Sequence, residues 1–229
     1  MTDPVRPSLD ELGRVLAEPM RLRVLRELLG GTPLPAGALA ARIGVAPSTV
    51  SSHLARLAAA GLIEIEKVGR TREARLADPS VADAIESLLR LSGEDPVSSL
   101  SAHDRRTALR RARRCYDHLA GDLGIAIADR AIAEEWIVDH DGSWTFAAEA
   151  GTVGSALGIP VTLTSSSRPL VRPCLDWTER RPHVAGQLGA AILAGMLHAG
   201  WLRRRRDDRA LTITPRGRDH FAGLGLASP

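Results

Sequence analysis

The sequence predicts a mainly α fold with small β hairpins, that is, an α+β protein. Apolar side chains recur at helical spacing over residues 45–60, and apolar and charged side chains alternate over residues 62–76 as they do in strands. The same order of helix, strand and strand returns in residues 184–214. Because 229 residues exceed a typical single domain, we expect two, residues 1–95 and residues 96–229.

Composition and charge narrow the class of protein. The chain has 30 basic and 27 acidic residues, a formal net charge of +3, so binding to nucleic acid would depend on local patches. Two cysteines and the lack of a signal-peptide pattern predict a cytoplasmic protein without a disulfide scaffold. No apolar run has membrane-spanning length, so we expect a soluble protein with no membrane partner.

A loose tail at residues 1–7 precedes a series of short predicted helices. Their apolar spacing places these helices over Leu9–Leu16, residues 20–29, Ala36–Ile43 and residues 45–60. Gly44 suits a tight turn between the last two helices. A helix, a short turn containing glycine and a second helix form the helix-turn-helix arrangement.

The helix predicted over residues 45–60 has one buried stripe and one polar face. Pro47 fits its first turn, and Val50, Leu54 and Leu57 follow at helical spacing. A polar face is also what any amphipathic surface helix needs, and His53 could pack instead of contacting a phosphate. As a recognition helix in the major groove, it would contact DNA through Ser48, Thr49, Ser51, Ser52, His53 and Arg56.

Residues 62–76 predict a β-hairpin with a turn at Gly69 and Arg70, and a helix follows over residues 81–91. Helices followed by a two-stranded wing make a winged-helix domain. Cations near the hairpin tip would bind phosphates, which gives affinity more than base discrimination, although a solvated turn is the alternative. These cations are Lys67, Arg70 and Arg72.

Four segments resemble the ArsR/SmtB family of bacterial transcriptional regulators in their order and spacing. They are LAEPMRLRVLREL at 16–28, LAARIGV at 39–45, STVSSHLARL at 48–57 and AGLI at 60–63. The resemblance implies a dimeric winged-helix repressor that binds a palindromic operator and leaves it when an effector binds. The chain departs from the familiar metal sites of the family, because it has no cysteine before Cys115 and no histidine in residues 81–91.

The second half predicts further helices and a second wing after a linker at residues 93–101. The expected elements are helices over 105–120, 122–138 and 150–157, a hairpin around 140–144, an extended segment at 161–171, a helix over 184–200, strands over 201–206 and 210–214, and a helix from Pro215. This half is expected to be a sensing or dimerisation domain. It ends in a second winged-helix-like unit at residues 183–226, whose basic wing could also contact DNA.

Candidate metal ligands lie in two segments of the second half. On the predicted helix, Cys115 and His118 are close enough to share an ion, and Cys174 with Asp176 or His183 could complete a thiolate and imidazole site for zinc or another soft ion. A reversible disulfide between the two thiols is a second possibility. The structural alternative makes Cys115 a small core residue and leaves His118 near the solvent edge.

These features predict a DNA-binding transcriptional regulator, specifically a homodimeric repressor released from its double-stranded operator by an unidentified effector. Leu9–Leu16 and residues 81–91 would meet their copies across the two-fold axis. Sensing of a metal or of thiol oxidation is one alternative, and a small-molecule pocket lined by Trp136, Trp144 and Trp177 is another. We expect no enzyme, because the chain lacks a phosphate loop, a nucleophile elbow and a dense carboxylate and histidine cluster.

Overall fold

The computed structural model describes residues 7–92, 100–205 and 208–226. The chain divides into two compact units, Met1–Leu88 and Leu89–Pro229. The expected tail at 1–7 and linker at 93–101 lie largely outside the described residues. Among the described residues, no helix combines the length and apolar character that a membrane span requires.

The helices of the first unit follow the predicted order, and α5 ends just beyond the unit boundary. They are α1 (Leu9–Leu16), α2 (Pro19–Leu28), α3 (Ala36–Ile43), α4 (Pro47–Ala59) and α5 (Pro79–Leu91). Between α3 and α4 the chain turns at Gly44, whose φ of 80° is a left-handed conformation that glycine adopts without strain. Val50, Leu54 and Leu57 bury one side of α4, which confirms the predicted helix-turn-helix.

A small antiparallel sheet with strand order β1-β3-β2 completes the first unit. Its strands are β1 (Leu34–Pro35), β2 (Ile63–Val68) and β3 (Thr71–Leu76). Val68 pairs with Thr71 across the hairpin, and Gly69 in the turn has a φ of 61°. The predicted wing is confirmed, whereas β1 was not predicted because two residues are too few to show an alternating pattern.

The prediction of one helix over residues 105–120 is wrong. This stretch contains the end of α6 (Leu100–Arg111) and the hairpin of β4 (Arg113–Cys115) with β5 (His118–Ala120). Tyr116 has a φ of 59°, which a right-handed helix excludes, and Cys115 pairs with His118 across the turn. The prediction relied on apolar side chains that recur at helical spacing around Cys115, but a hairpin buries the same side chains.

The rest of the second unit alternates helices with two-stranded hairpins. The helices are α7 (Asp122–Ala133), α8 (Ala150–Leu157), α9 (Gly186–His198) and α10 (Pro215–Gly223). The hairpins pair β6 (Ile137–His140) with β7 (Ser143–Phe146), β8 (Arg172–Leu175) with β9 (Pro182–Ala185), and β10 (Leu202–Arg204) with β11 (Leu211–Ile213). The predicted helices, the hairpin around 140–144 and the last two strands are confirmed except at their ends: α7 ends at Ala133, and residues 184 and 185 belong to β9 instead of α9. The expected extended segment at 161–171 contains no strand, and the hairpin of β8 and β9 was not predicted.

In the second unit, a hairpin, a helix, a second hairpin and a second helix follow one another, and this order occurs twice. We call residues 113–159 repeat 1 and residues 172–226 repeat 2. Repeat 1 begins RRCYD and leads into α7 with HLAGDLG, and repeat 2 begins RPCLD and leads into α9 with HVAGQLG. The corresponding glycines, Gly121 and Gly186, have φ values of 82° and 86°. The match in sequence and conformation indicates an internal repeat.

The two repeats pack reciprocally, because α7 contacts β9 and α9 contacts β5. Glycine lets each helix pack closely on the strand before it and on the histidine of the other repeat. A Cβ atom on Gly124 would lie 2.6 Å from the carbonyl oxygen of Leu119, and one on Gly189 would lie 2.2 Å from that of Val184. Strands β5 and β9 therefore come together between the two helices.

Candidate functional site

The outer face of α4 presents the predicted DNA contacts. Ser48, Thr49, Ser51, Ser52 and Arg56 are exposed, and His53 is half-buried. The hydroxyl of Ser51 donates to the carbonyl oxygen of Pro47 at 2.9 Å, and that of Ser52 donates to Thr49 at 2.8 Å. Each hydroxyl oxygen can still accept a hydrogen bond, and side chains this short allow the helix to approach a groove closely. The buried Nδ1 of His53 has no hydrogen-bond partner.

The wing carries its cations at the tip. Lys67, Arg70 and Arg72 are exposed on the β2–β3 hairpin. Arg75, nearer the base of β3, forms ion pairs with Glu64 and Glu66 on β2. The charge available for phosphates is therefore concentrated at the tip, because the carboxylates offset the charge of Arg75.

Four buried side chains meet in the second unit. Cys115, His118, Cys174 and His183 place one potential ligand atom each within 4.8 Å of the other three, and we call this group the Cys/His cluster. The hairpins explain the grouping, because Cys115 pairs with His118 across β4 and β5, and Cys174 pairs with His183 across β8 and β9. The sequence placed Cys115 and His118 together correctly, but on a helix instead of a hairpin.

Neither cysteine is part of a disulfide, and their Sγ atoms lie 3.8 Å apart. All four side chains are buried, and His118 and His183 are each only 1% exposed. His118 therefore does not lie near the solvent edge. The Nε2 atoms of both histidines are buried without a hydrogen-bond partner. A buried polar atom without a partner costs free energy, and an ion bound by these two nitrogen atoms would remove that cost.

Asp176 lies beside the cluster instead of within it. Its Oδ1 accepts from the guanidinium of Arg113 at 2.7 Å, and its Oδ2 accepts from the backbone N–H of Gly121 at 2.8 Å. The same Oδ2 lies 3.4 Å from Nδ1 of His183. Asp117, which the sequence reasoning missed, stands in the equivalent position, with Oδ1 3.2 Å from Nδ1 of His118.

The negatively charged groups around the two imidazoles favour positive charge on these rings. Burial by itself lowers the pKa of His118, but the charge of Cys115 and the hydrogen bond with Asp117 outweigh it and raise that pKa above its usual value. Burial likewise opposes protonation of His183, yet the nearby carboxylate of Asp176 and the charge of Cys115 raise its pKa. The carboxyl pKa values of Asp117 and Asp176 are lowered against the effect of burial, so both carboxylates stay charged.

Two thiols and two imidazoles within reach of one point form a donor set that suits a tetrahedral soft or borderline metal ion. The signal that could have revealed the whole site was the repeat. Each copy contains R-x-C-x-D, followed by H-x-A-G-x-L-G, so aligning the copies places Cys115 on Cys174, Asp117 on Asp176, and His118 on His183.

The structure does not bring the three candidate pocket tryptophans together. Trp136 and Trp144 belong to the main hydrophobic core of the second unit and are 4% and 7% exposed. Trp177 lies instead under the guanidinium groups of Arg113 and Arg209, whose Cζ atoms are 5.0 and 5.8 Å from the ring centroid.

Comparisons with known proteins agree with the first unit and extend beyond it. The family model described as a helix-turn-helix domain matches residues 16–66. The HTH-type transcriptional regulator YdfF of Bacillus subtilis (strain 168), described as uncharacterized, is 37% identical over 218 residues, which cover 95% of this chain and 96% of the relative. The HTH-type transcriptional regulator CmtR of Mycobacterium tuberculosis is 42% identical over 84 residues, 37% of this chain and 70% of the relative.

Two solved structures are similar over part of the chain. The cadmium metal-sensor CmtR from Mycobacterium tuberculosis is 36% identical, covering 40% of this chain and 99% of that chain, with a TM-score of 0.33. Reduced HlyU from Vibrio cholerae N16961 is 33% identical, covering 37% of this chain and 88% of that chain, with a TM-score of 0.34.

The helix-turn-helix, the wing and these sequence identities define a winged-helix DNA-binding transcriptional regulator. The chain belongs to the ArsR/SmtB-type family of HTH regulators and carries an additional C-terminal region. YdfF is similar in both parts, because the matched residues extend over nearly the whole length of each protein.

Proposed function

We propose that this regulator is a repressor whose binding to its operator is controlled by a metal ion held in the Cys/His cluster. Residues 1–95 form the DNA-binding domain in this proposal, and residues 96–229 form the sensing domain. The observation that carries it is the convergence of two buried thiols and two buried imidazoles, with both Nε2 atoms lacking partners. We expect it to act in the cytoplasm as a regulator and not as an enzyme.

The DNA contacts in this proposal are side chains of α4 and of the wing. The exposed first turns of α4 would enter the major groove, and the wing would bind flanking phosphates. The proposed contacts are Ser48, Thr49, Ser51, Ser52, His53, Arg56, Lys67, Arg70 and Arg72. Residues 183–226 are proposed as a degenerate second winged helix, in which exposed Arg203, Arg204 and Arg205 offer further phosphate contacts.

The proposed repressor is a homodimer. The apolar side chains of α1 have no buried position within the chain, and Leu9 is 84% exposed. Leu91 at the end of α5 is 85% exposed. Exposed apolar side chains on two helices indicate a protein partner, and a second copy would give the two recognition helices that a palindromic operator requires.

Metal control draws its support from the cluster itself. CmtR, to which part of this chain is similar, is described as a cadmium metal-sensor, and a metal response is therefore compatible with this kind of winged helix. A second candidate is control by thiol oxidation, because the two Sγ atoms lie only 3.8 Å apart. Formation of a disulfide would remove both thiolates as metal ligands.

A binding experiment separates the two candidates. A genome-wide footprint first supplies the operator, and operator affinity is then measured for metal-free protein, with zinc, with cadmium and after mild oxidation by peroxide. We expect zinc or cadmium to weaken binding at least about tenfold, a coupling typical of allosteric effectors. The variant His183→Ala keeps both thiols and should lose this response, whereas His140→Ala, on an exposed turn-side position of β6, should keep it.

Either of two results would decide against metal control. The first is an operator affinity that neither ion changes in the metal-free wild type. The second is a response to peroxide that His183→Ala retains while Cys115→Ser and Cys174→Ser lose it, which would identify thiol oxidation as the signal.

A further inference from the structure

We infer that Asp117 and Asp176 orient the two imidazoles of the Cys/His cluster, and that the site they complete is a closed tetrahedral site for a zinc-group ion, Zn²⁺ or Cd²⁺. The inference rests on the proposed function in its choice of a metal as the occupant. It goes further by assigning a role to two carboxylates, by stating the coordination number, and by excluding hard cations such as Mg²⁺, Ca²⁺ and Mn²⁺.

The internal repeat provides two equivalent halves of the site. Each repeat supplies one cysteine, one histidine and one aspartate, at matching positions of matching hairpins. The four ligand atoms meet where β5 and β9 come together. An ion bound there would join the two repeats, because neither repeat alone offers more than two ligands.

The imidazoles are oriented with one nitrogen toward a carboxylate. Nδ1 of His118 lies 3.2 Å from Oδ1 of Asp117, and Nδ1 of His183 lies 3.4 Å from Oδ2 of Asp176. In both rings Nε2 is then the nitrogen nearer the cluster, and both Nε2 atoms are buried without partners. Nδ1 of His118 is hydrogen-bonded to Asp117, whereas Nδ1 of His183 lies close to Asp176 without forming a hydrogen bond of good geometry. A carboxylate on the far nitrogen fixes the tautomer of a metal-binding histidine and makes it a stronger ligand.

The two carboxylates are themselves fixed by arginine. The guanidinium of Arg168 donates two hydrogen bonds to Asp117, one of them at 3.0 Å to Oδ1. The guanidinium of Arg113 donates to Asp176, and both of these side chains are 0% exposed. Each half of the site therefore has an arginine, an aspartate and a histidine in succession, although the two arginines are not at corresponding positions: Arg113 lies in β4 of repeat 1, and Arg168 lies before repeat 2.

The spacing of the two sulfur atoms fits an ion of this kind. In a tetrahedral zinc site with Zn–S bonds of about 2.3 Å, two thiolate sulfurs lie about 3.8 Å apart. The Sγ atoms of Cys115 and Cys174 lie 3.8 Å apart. All four positions of a tetrahedron would be filled by protein atoms, which is the pattern of closed structural or sensing sites and not of catalytic ones.

The surroundings of the cluster exclude additional ligands. Cys115 and Cys174 pack with Ala120 and Ala185 in one buried group. The helices close on the imidazoles, because a Cβ atom on Gly189 would lie 3.1 Å from Cβ of His118. Hard cations prefer six or more oxygen ligands, often including water, and the sulfur and nitrogen donors here do not supply them.

The test uses the full-length protein, freed of metal under reducing conditions and titrated with Co²⁺ as a spectroscopic probe for zinc. Tetrahedral cobalt absorbs strongly in the visible range, and thiolate ligands add charge-transfer bands in the near ultraviolet. We expect both signals in the wild type, displacement by Zn²⁺ and Cd²⁺, and no displacement by a large excess of Mg²⁺, Ca²⁺ or Mn²⁺.

The positioning role is tested by Asp117→Asn, because Asp117 is partly exposed and its loss should leave the fold intact. We expect the zinc dissociation constant, measured by chelator competition, to rise about 10- to 100-fold while the cobalt spectrum stays tetrahedral. Asp117→Glu should restore part of the affinity. The matched control is Asp129→Asn on α7, which breaks an exposed ion pair with Arg181. Circular dichroism checks the fold of every variant.

The outcomes separate this inference from the proposed function. Equal zinc affinities for Asp117→Asn and Asp129→Asn would overturn the positioning role even if zinc still controlled operator binding. A wild type without tetrahedral cobalt signals would overturn the closed site. Tetrahedral binding that Asp117→Asn weakens, in a protein whose operator affinity ignores zinc, would support this inference and overturn metal control of repression.

Discussion

At the scale of single residues, glycine decides how closely the first helix of each repeat packs on the hairpin before it. Gly189 on α9 faces the carbonyl oxygen of Val184 and the side chain of His118, and Gly124 on α7 faces the carbonyl oxygen of Leu119 and the side chain of His183. Both residues lie in helices, where glycine is unfavourable by about 1 kcal/mol relative to alanine. Their presence is explained by the packing, because an added side chain would meet the carbonyl oxygen of the strand directly before the same helix, and on Gly189 it would also press against His118 of the other repeat.

Gly189→Ala should therefore destabilise the protein. The added Cβ would lie 2.2 Å from a backbone oxygen, so α9 or β9 must shift, and overpacking of this kind costs about 1–3 kcal/mol. Chemical unfolding measures the difference. The matched control is Gly151→Ala on α8, where a Cβ meets nothing within 4 Å and the better helix propensity of alanine should make the change neutral or stabilising. Equal stability of the two variants would contradict the proposed role of the close approach.

At the scale of elements, the first unit was predictable and the second only in part. The helices of the first unit show one apolar period over eight or more residues, and glycine marks their ends at Gly44 and Gly61. The hairpin of β4 and β5 has strands of only three residues, and all the strand residues are buried, so no alternation distinguishes these strands from a helix. Its location could have been deduced only by aligning the two repeats.

The candidate metal site was likewise predictable only in part. Cysteine and histidine content pointed to Cys115, His118, Cys174 and His183, because thiol and imidazole are the usual ligands of zinc. The supporting pairs, such as Asp117 with Arg168, join residues far apart in the chain, and ion pairs of that kind leave no local pattern. The predicted DNA contacts stay predictions, since exposure on α4 and the wing is a condition for contact and not a proof of it.

The wing as an element makes a prediction about salt. Replacing Arg70 and Arg72 with alanine should weaken binding to all duplexes about equally and flatten the dependence of log affinity on log salt by roughly one unit for each phosphate that is no longer neutralised. Fluorescence anisotropy at several salt concentrations gives both slopes. Arg181→Ala, an exposed cation of the second unit paired with Asp129, is the control and should leave the slope unchanged. An unchanged slope in the wing variant would show that the wing does not bind the DNA backbone.

At the scale of the whole molecule, exposed Leu9 on α1 predicts a dimer. Leu9→Arg should cost a single chain little because Leu9 is 84% exposed, but it would place a charge inside the proposed interface. Light scattering should show a dimer for the wild type at micromolar concentration and a monomer for the variant, whose operator affinity should fall. Ile132→Arg on α7, 37% exposed, is the control and should stay dimeric. A monomeric wild type that binds a single half-site tightly would contradict the dimer.

The proposed metal control also predicts an effect of DNA on metal binding. If zinc bound in the Cys/His cluster weakens operator affinity by about tenfold, then operator DNA must weaken zinc affinity by the same factor, because the two equilibria form one closed cycle. Chelator competition measured with and without the operator duplex tests this directly. A duplex of scrambled sequence is the control and should leave the zinc dissociation constant unchanged at the same salt concentration. A zinc affinity that the operator does not alter, in protein whose operator binding zinc does alter, would show that the ion acts at some site other than the cluster.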